Sequence, residues 1–350
     1  MNAKELLQTA TLAQASDIFI IAGRPLSYKV NGTLCMEGER LMPADTEQLI
    51  HEIFHLASNR SMDAFLTSGD DDFSFAIPGL SRFRVSTYKQ RGSLAAVIRI
   101  IAFDLPDPSN LGIPQTVLQL TDMTKGMILV TGPAGSGKST TLSCLVDRIN
   151  SMRQEHIITL EDPLEFLHRH KMSIVSQREI STDTVNYLTA LRAALRQSPD
   201  VILLGEMRDH ETIQTAMTAA ETGHLVLSSL HTIGAANTIS RIIDVFEPSQ
   251  QHQIAVQLSM VLRAVVSQQL VPTIHQTMVP AFEIMLMTPA ISNMIRDNKI
   301  HQIEGMIYTS AKDDMLSMDN SLLQLYRSGQ ITSETALQYA TNPDMLKKKL

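Results

Sequence analysis

The sequence predicts an α/β protein in two parts, a doubly wound domain with a parallel central sheet preceded by a smaller α+β domain. Three observations predict this division. Proline, aspartate and glycine crowd residues 103–114 and break every regular pattern there. Before that break, short alternating strands and a hairpin signal surround two amphipathic helices. After it, nearly continuous apolar runs of strand length alternate with helical stretches, as in a parallel sheet buried on both faces. A chain of 350 residues is long enough to bury a core in each part.

The first domain is expected over residues 1–105. Residues 3–15 carry Leu6, Leu7, Ala10 and Ala13 at helical spacing, and residues 45–56 form a second helix. Strands are expected at 17–21, 26–30, 33–36, 73–77, 82–88 and 95–101, with Asn31-Gly32 as the tight turn of a hairpin. Residues 106–114 follow as a hinge linker. The second domain, 115–285, has strands at 127–131, 156–160, 201–205 and 225–229, with helices such as 141–149, 189–196 and 211–221 between them. From Glu283 the chain is expected to become mainly helical, giving an extension over 286–350 with Gly305 and Gly329 as stops.

Composition excludes several functions. Hydrophobic residues at 44% and charged residues at 19% describe an ordinary globular protein. A net charge of −7 disfavours broad binding to nucleic acid, which needs clustered Lys and Arg. Cys35 and Cys144 lie far apart, so a cysteine-held zinc is ruled out and two buried thiols are expected. The first twelve residues lack the apolar core of a signal peptide, and no apolar stretch reaches the ~20 residues that span a bilayer. The expected location is cytoplasmic, with membrane contact only through a partner. Lys347, Lys348 and Lys349 read as a solvated tail.

The strongest chemical signal is Gly132, Pro133, Ala134, Gly135, Ser136, Gly137, Lys138, Ser139 and Thr140, a full match to G-x-x-x-x-G-K-[ST]. Its glycines let successive backbone N–H groups approach phosphate, and the helix that follows offers its positive end. Lys138 supplies charge to the β and γ phosphates of ATP, and the Ser139 hydroxyl is a ligand for Mg²⁺. The motif follows an apolar strand and opens a helix, the context it needs. Two acidic groups stand at strand ends: Glu161-Asp162-Pro163-Leu164-Glu165 after 156–160, and Glu206 after 201–205. A carboxylate after a wholly apolar strand is placed to hold the Mg²⁺ shell. Asp200 lies at the other end of its strand and reads as a turn residue or a helix-associated charge. His224 and His231 flank 225–229; a lone His is more often a structural hydrogen-bonding group, although one near a γ-phosphate can sense it.

With those residues in order, ITLEDPLEF at 158–166, LRQSPDVILLGEMRD at 195–209 and AAETGHLVLSSLHT at 219–232, the chain resembles the secretion ATPase superfamily, most closely the PilT family of type IV pilus retraction ATPases. The resemblance implies a PAS-like first domain, a RecA-like P-loop NTPase second domain and a homohexameric ring with nucleotide at subunit junctions. It implies an ATP-hydrolysing motor at the inner face of the plasma membrane. An inner-membrane pilus platform protein, and other pilus ATPases, would be its partners. It also implies Glu165 as general base, Glu206 at the magnesium, His224 and His231 in coupling and γ-phosphate sensing, and Arg84 and Arg99 as charge donors. By residue chemistry, Arg99 within the apolar run 97–101 needs a partner, either an acid or a phosphate, and Arg82 shares a strand face with Arg84. The sequence departs from the family at Ser16-Asp17-Ile18-Phe19-Ile20 and after Ala290-Ile291, where the retraction-linked signature carries an arginine sooner. Pilus assembly, type II secretion, competence or DNA translocation are the alternative tasks for such a motor.

Overall fold

The computed structural model describes residues 2–30, 32–101, 105, 107–275, 277–310 and 314–350. Asn31 of the expected hairpin turn and residues 103, 104 and 106 of the expected break between the domains lie outside them. The chain divides into two units: residues 1–104 with 165–167, and residues 105–164 with 168–350.

The first unit begins with α1, Ala3–Leu12, started by a capping box in which Asn2 and Glu5 satisfy each other's backbone N–H. Strands β1 (Asp17–Ile20), β2 (Pro25–Val30) and β3 (Thr33–Arg40) precede helices α2 (Pro43–Leu56) and α3 (Asp63–Ser68). Strands β4 (Asp70–Ile77), β5 (Ser81–Gln90) and β6 (Ser93–Ile101) complete an antiparallel sheet of order β3-β2-β1-β6-β5-β4. Ile18, Val85 and Ile98 share one face and bury against Ile50, Phe54 and Phe65 of the helices. The six residues of α3 are too few to show a helical period, so sequence reading misses that element. Strand β3 is exposed along its whole length, which leaves Cys35 exposed rather than buried; Cys144 is buried as expected.

The second unit opens with α4 (Gln115–Gln119). Strand β7 (Gly126–Thr131), helix α5 (Lys138–Met152), strand β8 (His156–Glu161), strand β9 (Ile174–Glu179), helix α6 (Tyr187–Ala194) and strand β10 (Val201–Leu204) follow. Helix α7 (His210–Glu221), strand β11 (Leu225–Leu230), helices α8 (Ala235–Asp244) and α9 (Pro248–Val261), and strands β12 (Leu262–Pro272) and β13 (Met278–Leu286) complete the sheet. Its order is β13-β12-β7-β11-β10-β8-β9, parallel throughout except for the antiparallel pairing of β13 with β12. Every residue of β7, β10 and β11 is buried, because the sheet is covered on both faces by separate apolar clusters.

The last part differs from expectation in two places. Glu283 lies inside β13, so the helical extension begins after Leu286. It comprises α10 (Pro289–Arg296), α11 (Ile303–Thr309), α12 (Met318–Arg327), α13 (Ser333–Tyr339) and α14 (Pro343–Lys347). Gly305 sits within α11 rather than ending a helix; a glycine there costs about 1 kcal/mol relative to alanine. Gly329 does follow a helix end, with φ +72°. No helix among the described residues is long and apolar enough to cross a membrane.

Candidate active site

The second unit gathers its polar groups at the carboxyl ends of the parallel strands, where an open α/β sheet holds its ligand. Strands β7, β11, β10 and β8 lie side by side, and their registers bring the residues after Thr131, Leu230, Leu204 and Leu160 to one edge. The loop 132–137, His231, Glu206 and Glu161 thus stand on four consecutive strand tips. Strands β7 and β10 are two positions apart, ~10 Å at the usual strand spacing.

Backbone packing explains the glycines of the loop. Gly132 has φ +142°, and a Cβ there would lie 2.1 Å from the Gln268 carbonyl oxygen. On Gly137, with φ +88°, a Cβ would meet Gln268 Nε2 at 2.8 Å. Gln268, on β12 and 4% exposed, also accepts a 2.7 Å hydrogen bond at Oε1 from the Thr141 hydroxyl of α5. One side chain from a neighbouring strand therefore grips both the loop and the helix it opens. Lys138 Nζ donates to the carbonyl oxygens of Gly132 and Pro133, each at 2.9 Å.

Three acids were expected here. Glu161 ends β8, is 8% exposed, and accepts at Oε1 from Gln177 Nε2 at 3.4 Å. Glu206 follows β10; Arg208 donates to its Oε1, and His231 Nε2 lies 3.4 Å from its Oε2. Glu165 is exposed and groups with residues 1–104, so the second unit taken alone brings together Glu161 and Glu206 but not Glu165. Tyr187 borders the acids: burial first, then the charges of Glu206 and Asp162, push its hydroxyl above the ordinary tyrosine range.

The two histidines separate. His231 is exposed at the loop edge beside Glu206. His224 precedes β11 at the opposite edge of the sheet, where its Nδ1 lies 2.9 Å from the Ala219 carbonyl at the end of α7. Six strand residues at ~3.3 Å each hold the two rings about 20 Å apart. His224 is not brought to the phosphate loop of its own chain.

In the first unit, Arg84 faces Arg99 across β5 and β6, and Arg99 faces Asp17 across β6 and β1. Arg99 Nε donates to Asp17 Oδ1 at 3.0 Å, so the acid partner that the sequence left open is present. The guanidinium side chain remains 66% exposed. Lys29 extends the row opposite Asp17, which leaves one carboxylate among three cations. Arg82 lies two residues before Arg84, opposite Ile101.

The site fits a magnesium nucleotide on three observations. The loop 132–137 keeps its course only with glycine at 132 and 137, where a Cβ would collide with Gln268. The buried hydroxyls of Thr131 and Ser136, one ending β7 and one inside the loop, have no hydrogen-bond partner, as expected of groups that await a ligand. The Oε2 atom of Glu206 likewise makes no hydrogen bond, with His231 Nε2 3.4 Å away. A cleft of about 410 Å³ adjoins the loop, between residues 109–113, Thr140 and the β12–β13 hairpin at Leu270 and Val279.

Sequence reading missed Gln268 and Tyr187. Both act across strands or helices remote in sequence, and neither belongs to a local motif.

The profile of the type II/IV secretion system protein family matches residues 2–304. The chain is similar to the type IV pilus retraction ATPase PilT of Pseudomonas aeruginosa, 41% identical over 347 residues, which is 98% of this chain and 99% of that one. It is also similar to the type IV pilus ATPase PilU of that organism, 35% identical over 348 residues, covering 99% of this chain and 91% of the relative. Among solved structures, that of the pilus retraction motor PilT with bound ADP matches with a TM-score of 0.91 and 42% identity, covering 99% of both chains. The α/β architecture expected from the sequence, an N-terminal domain followed by a P-loop ATPase domain, is the architecture of that motor. On sequence, fold and the order of its motifs, this chain belongs to the type II/IV secretion system protein family.

Proposed function

We propose that the chain hydrolyses ATP with Mg²⁺ and uses the energy to power type IV pilus retraction. The observation that carries the reading is the alignment of the glycine loop, His231, Glu206 and Glu161 on four consecutive strand tips. The phosphates would lie along the N–H groups of 132–139, with the base in the cleft beside residues 109–113. Lys138 would turn from the loop carbonyls to the β and γ phosphates. Ser139 and Glu206 would hold the magnesium, whose charge offsets that developing on the transferred phosphoryl group. Glu165 is assigned to orient and deprotonate the attacking water, and Glu161 to the acidic wall beside it. His231, beside Glu206, is placed to sense the terminal phosphate.

The cation row of the first unit is assigned to a neighbouring copy's nucleotide. Arg84 and Arg99 repel each other across the strand pair, and Asp17 offsets only part of that charge. An anion delivered by the neighbour relieves the repulsion, which favours a closed ring junction while the γ-phosphate is present. A homohexamer acting on a membrane-embedded pilus platform from the cytoplasmic face follows as the working assembly. The relationship to PilU, over 99% of this chain, supports a second reading in which the chain is a pilus ATPase of that kind.

Lys138→Ala and Glu165→Gln are each expected to lower ATP turnover by ~10²–10³-fold. Steady-state phosphate release measures this, and normal turnover in either variant sinks the site assignment. Deleting the gene is expected to leave pili present and twitching lost. Loss of pili would instead point to assembly.

A further inference from the structure

The β12–β13 hairpin holds the start of α8 as well as the phosphate loop. Ser267 and Glu283 face each other across the two strands. Ser267 Oγ accepts from the Gly234 N–H at 2.9 Å, and Glu283 Oε1 accepts from the Ala235 N–H at 2.8 Å. The backbone N–H of Met318, first residue of α12, lies close to the same carboxylate and favours its charge. Glu283 is 5% exposed and so lies inside the unit between the first turns of two helices. Burial pushes the Glu283 carboxyl above the usual carboxylate range, and the N–H groups and positive helix ends it meets offset only part of that, while Glu304 and Asp319 add to it.

The position matters because of what lies just before α8. Strand β11 ends at Leu230 and α8 begins at Ala235, so residues 231–234 form a short turn pinned at both ends. That turn contains His231, beside Glu206. Within it, the hydroxyl oxygens of Thr232 and Thr238 lie 2.7 Å apart, tying the turn to the first turn of α8. Gln268, the residue after Ser267, holds the phosphate loop at Gly137 and Thr141. Adjacent residues of one strand thus fix the two sides of the candidate site.

We propose that Glu283 is a positioning residue that sets the 231–234 turn against the terminal phosphate and couples that turn to α12 of the C-terminal extension. The proposal rests on the reading of the loop edge as the γ-phosphate end. A group that only supports the fold would weaken all nucleotides alike. A group that positions this turn weakens ATP and spares ADP, because the loop 132–139 alone holds the inner phosphates.

The test uses the full chain with Mg²⁺, a fluorescent ADP and a fluorescent non-hydrolysable ATP analogue. In Glu283→Gln, the charge that both N–H groups face is lost and the amide keeps one acceptor oxygen. The expected result is an ADP affinity within about twofold of the parent and an ATP-analogue affinity about tenfold weaker, the size expected for a lost buried bond to a charged group. Ser267→Ala, a near-isosteric change that decides the matter if the first variant does not fold, is expected to shift the ratio in the same direction by about threefold. An unchanged ratio in folded variants, or an equal loss for both nucleotides, overturns the proposal. Lys138→Ala is run beside them: if it binds both nucleotides normally, the reading of the site fails independently of Glu283.

Discussion

The two edges of the parallel sheet treat their polar residues in opposite ways. At the amino ends of the strands, His156 places Nδ1 3.0 Å from the Gln197 carbonyl and Nε2 2.9 Å from Ser176 Oγ, while its backbone N–H donates to Asp200 at 2.9 Å. His224 lies beside the Ala219 carbonyl, and its own carbonyl accepts from Gly126. These groups spend their hydrogen bonds on the fold. At the carboxyl ends, Thr131, Ser136 and Glu206 keep a buried oxygen without a donor, and Glu206 has Arg208 and His231 close by. Burying such atoms is unfavourable unless something else completes them. The contrast therefore rests on the two hydroxyls of the loop edge, since histidine, acid and a carboxylate oxygen without a hydrogen bond, Glu155 Oε2, occur at the amino edge as well.

The largest effect expected from this contrast comes from the histidines. His231→Ala should reduce turnover at saturating ATP at least tenfold, since it removes a group beside the proposed magnesium carboxylate. His224→Ala should leave nucleotide affinity within about twofold and lower stability by about 1 kcal/mol, the usual net worth of one hydrogen bond. Turnover and nucleotide titration, read with thermal melting, check both. Equal effects on turnover at saturating ATP from the two changes would erase the distinction between the edges.

A smaller effect is expected at Gln268, which belongs to the reactive edge without touching phosphate. Gln268→Ala removes the acceptor of the Thr141 hydroxyl and the side chain packed on Gly137. The loop loses a support, so the KM for ATP should rise several-fold while kcat falls less, a loss of about 1–2 kcal/mol in kcat/KM. A variant with unchanged KM would show that the loop holds its shape unaided.

The part of this site that can be read from sequence is the part made by neighbours in sequence. The loop is legible because its glycines and lysine occupy consecutive positions, and Glu206 because it ends a run of purely apolar residues. The edge strand β9, with Ser176, Gln177 and Arg178 among six residues, carries no apolar period and goes unread. Gln268 is illegible for a stronger reason: its partners Gly137 and Thr141 come from the far side of four strands and four helices in chain order. His224 and His231 look alike in sequence, and only the direction of β11 shows that they stand at opposite edges.

The smallest effect tests the structural edge itself. Asp200 lies just before β10, and its Oδ2 accepts from the His156 N–H at the start of β8, joining the two strands at the edge away from the loop. Asp200→Ala removes that acceptor where solvent can replace it, so the cost should be about 0.5–1 kcal/mol of stability. Turnover and nucleotide affinity should stay within experimental scatter of the parent, because strands β8 and β10 remain paired through Val201 to Leu204. A drop in turnover without a drop in melting temperature would mean that strain introduced at one edge reaches Glu161 and Glu206 through the strands that carry them, and the edges would then be mechanically one.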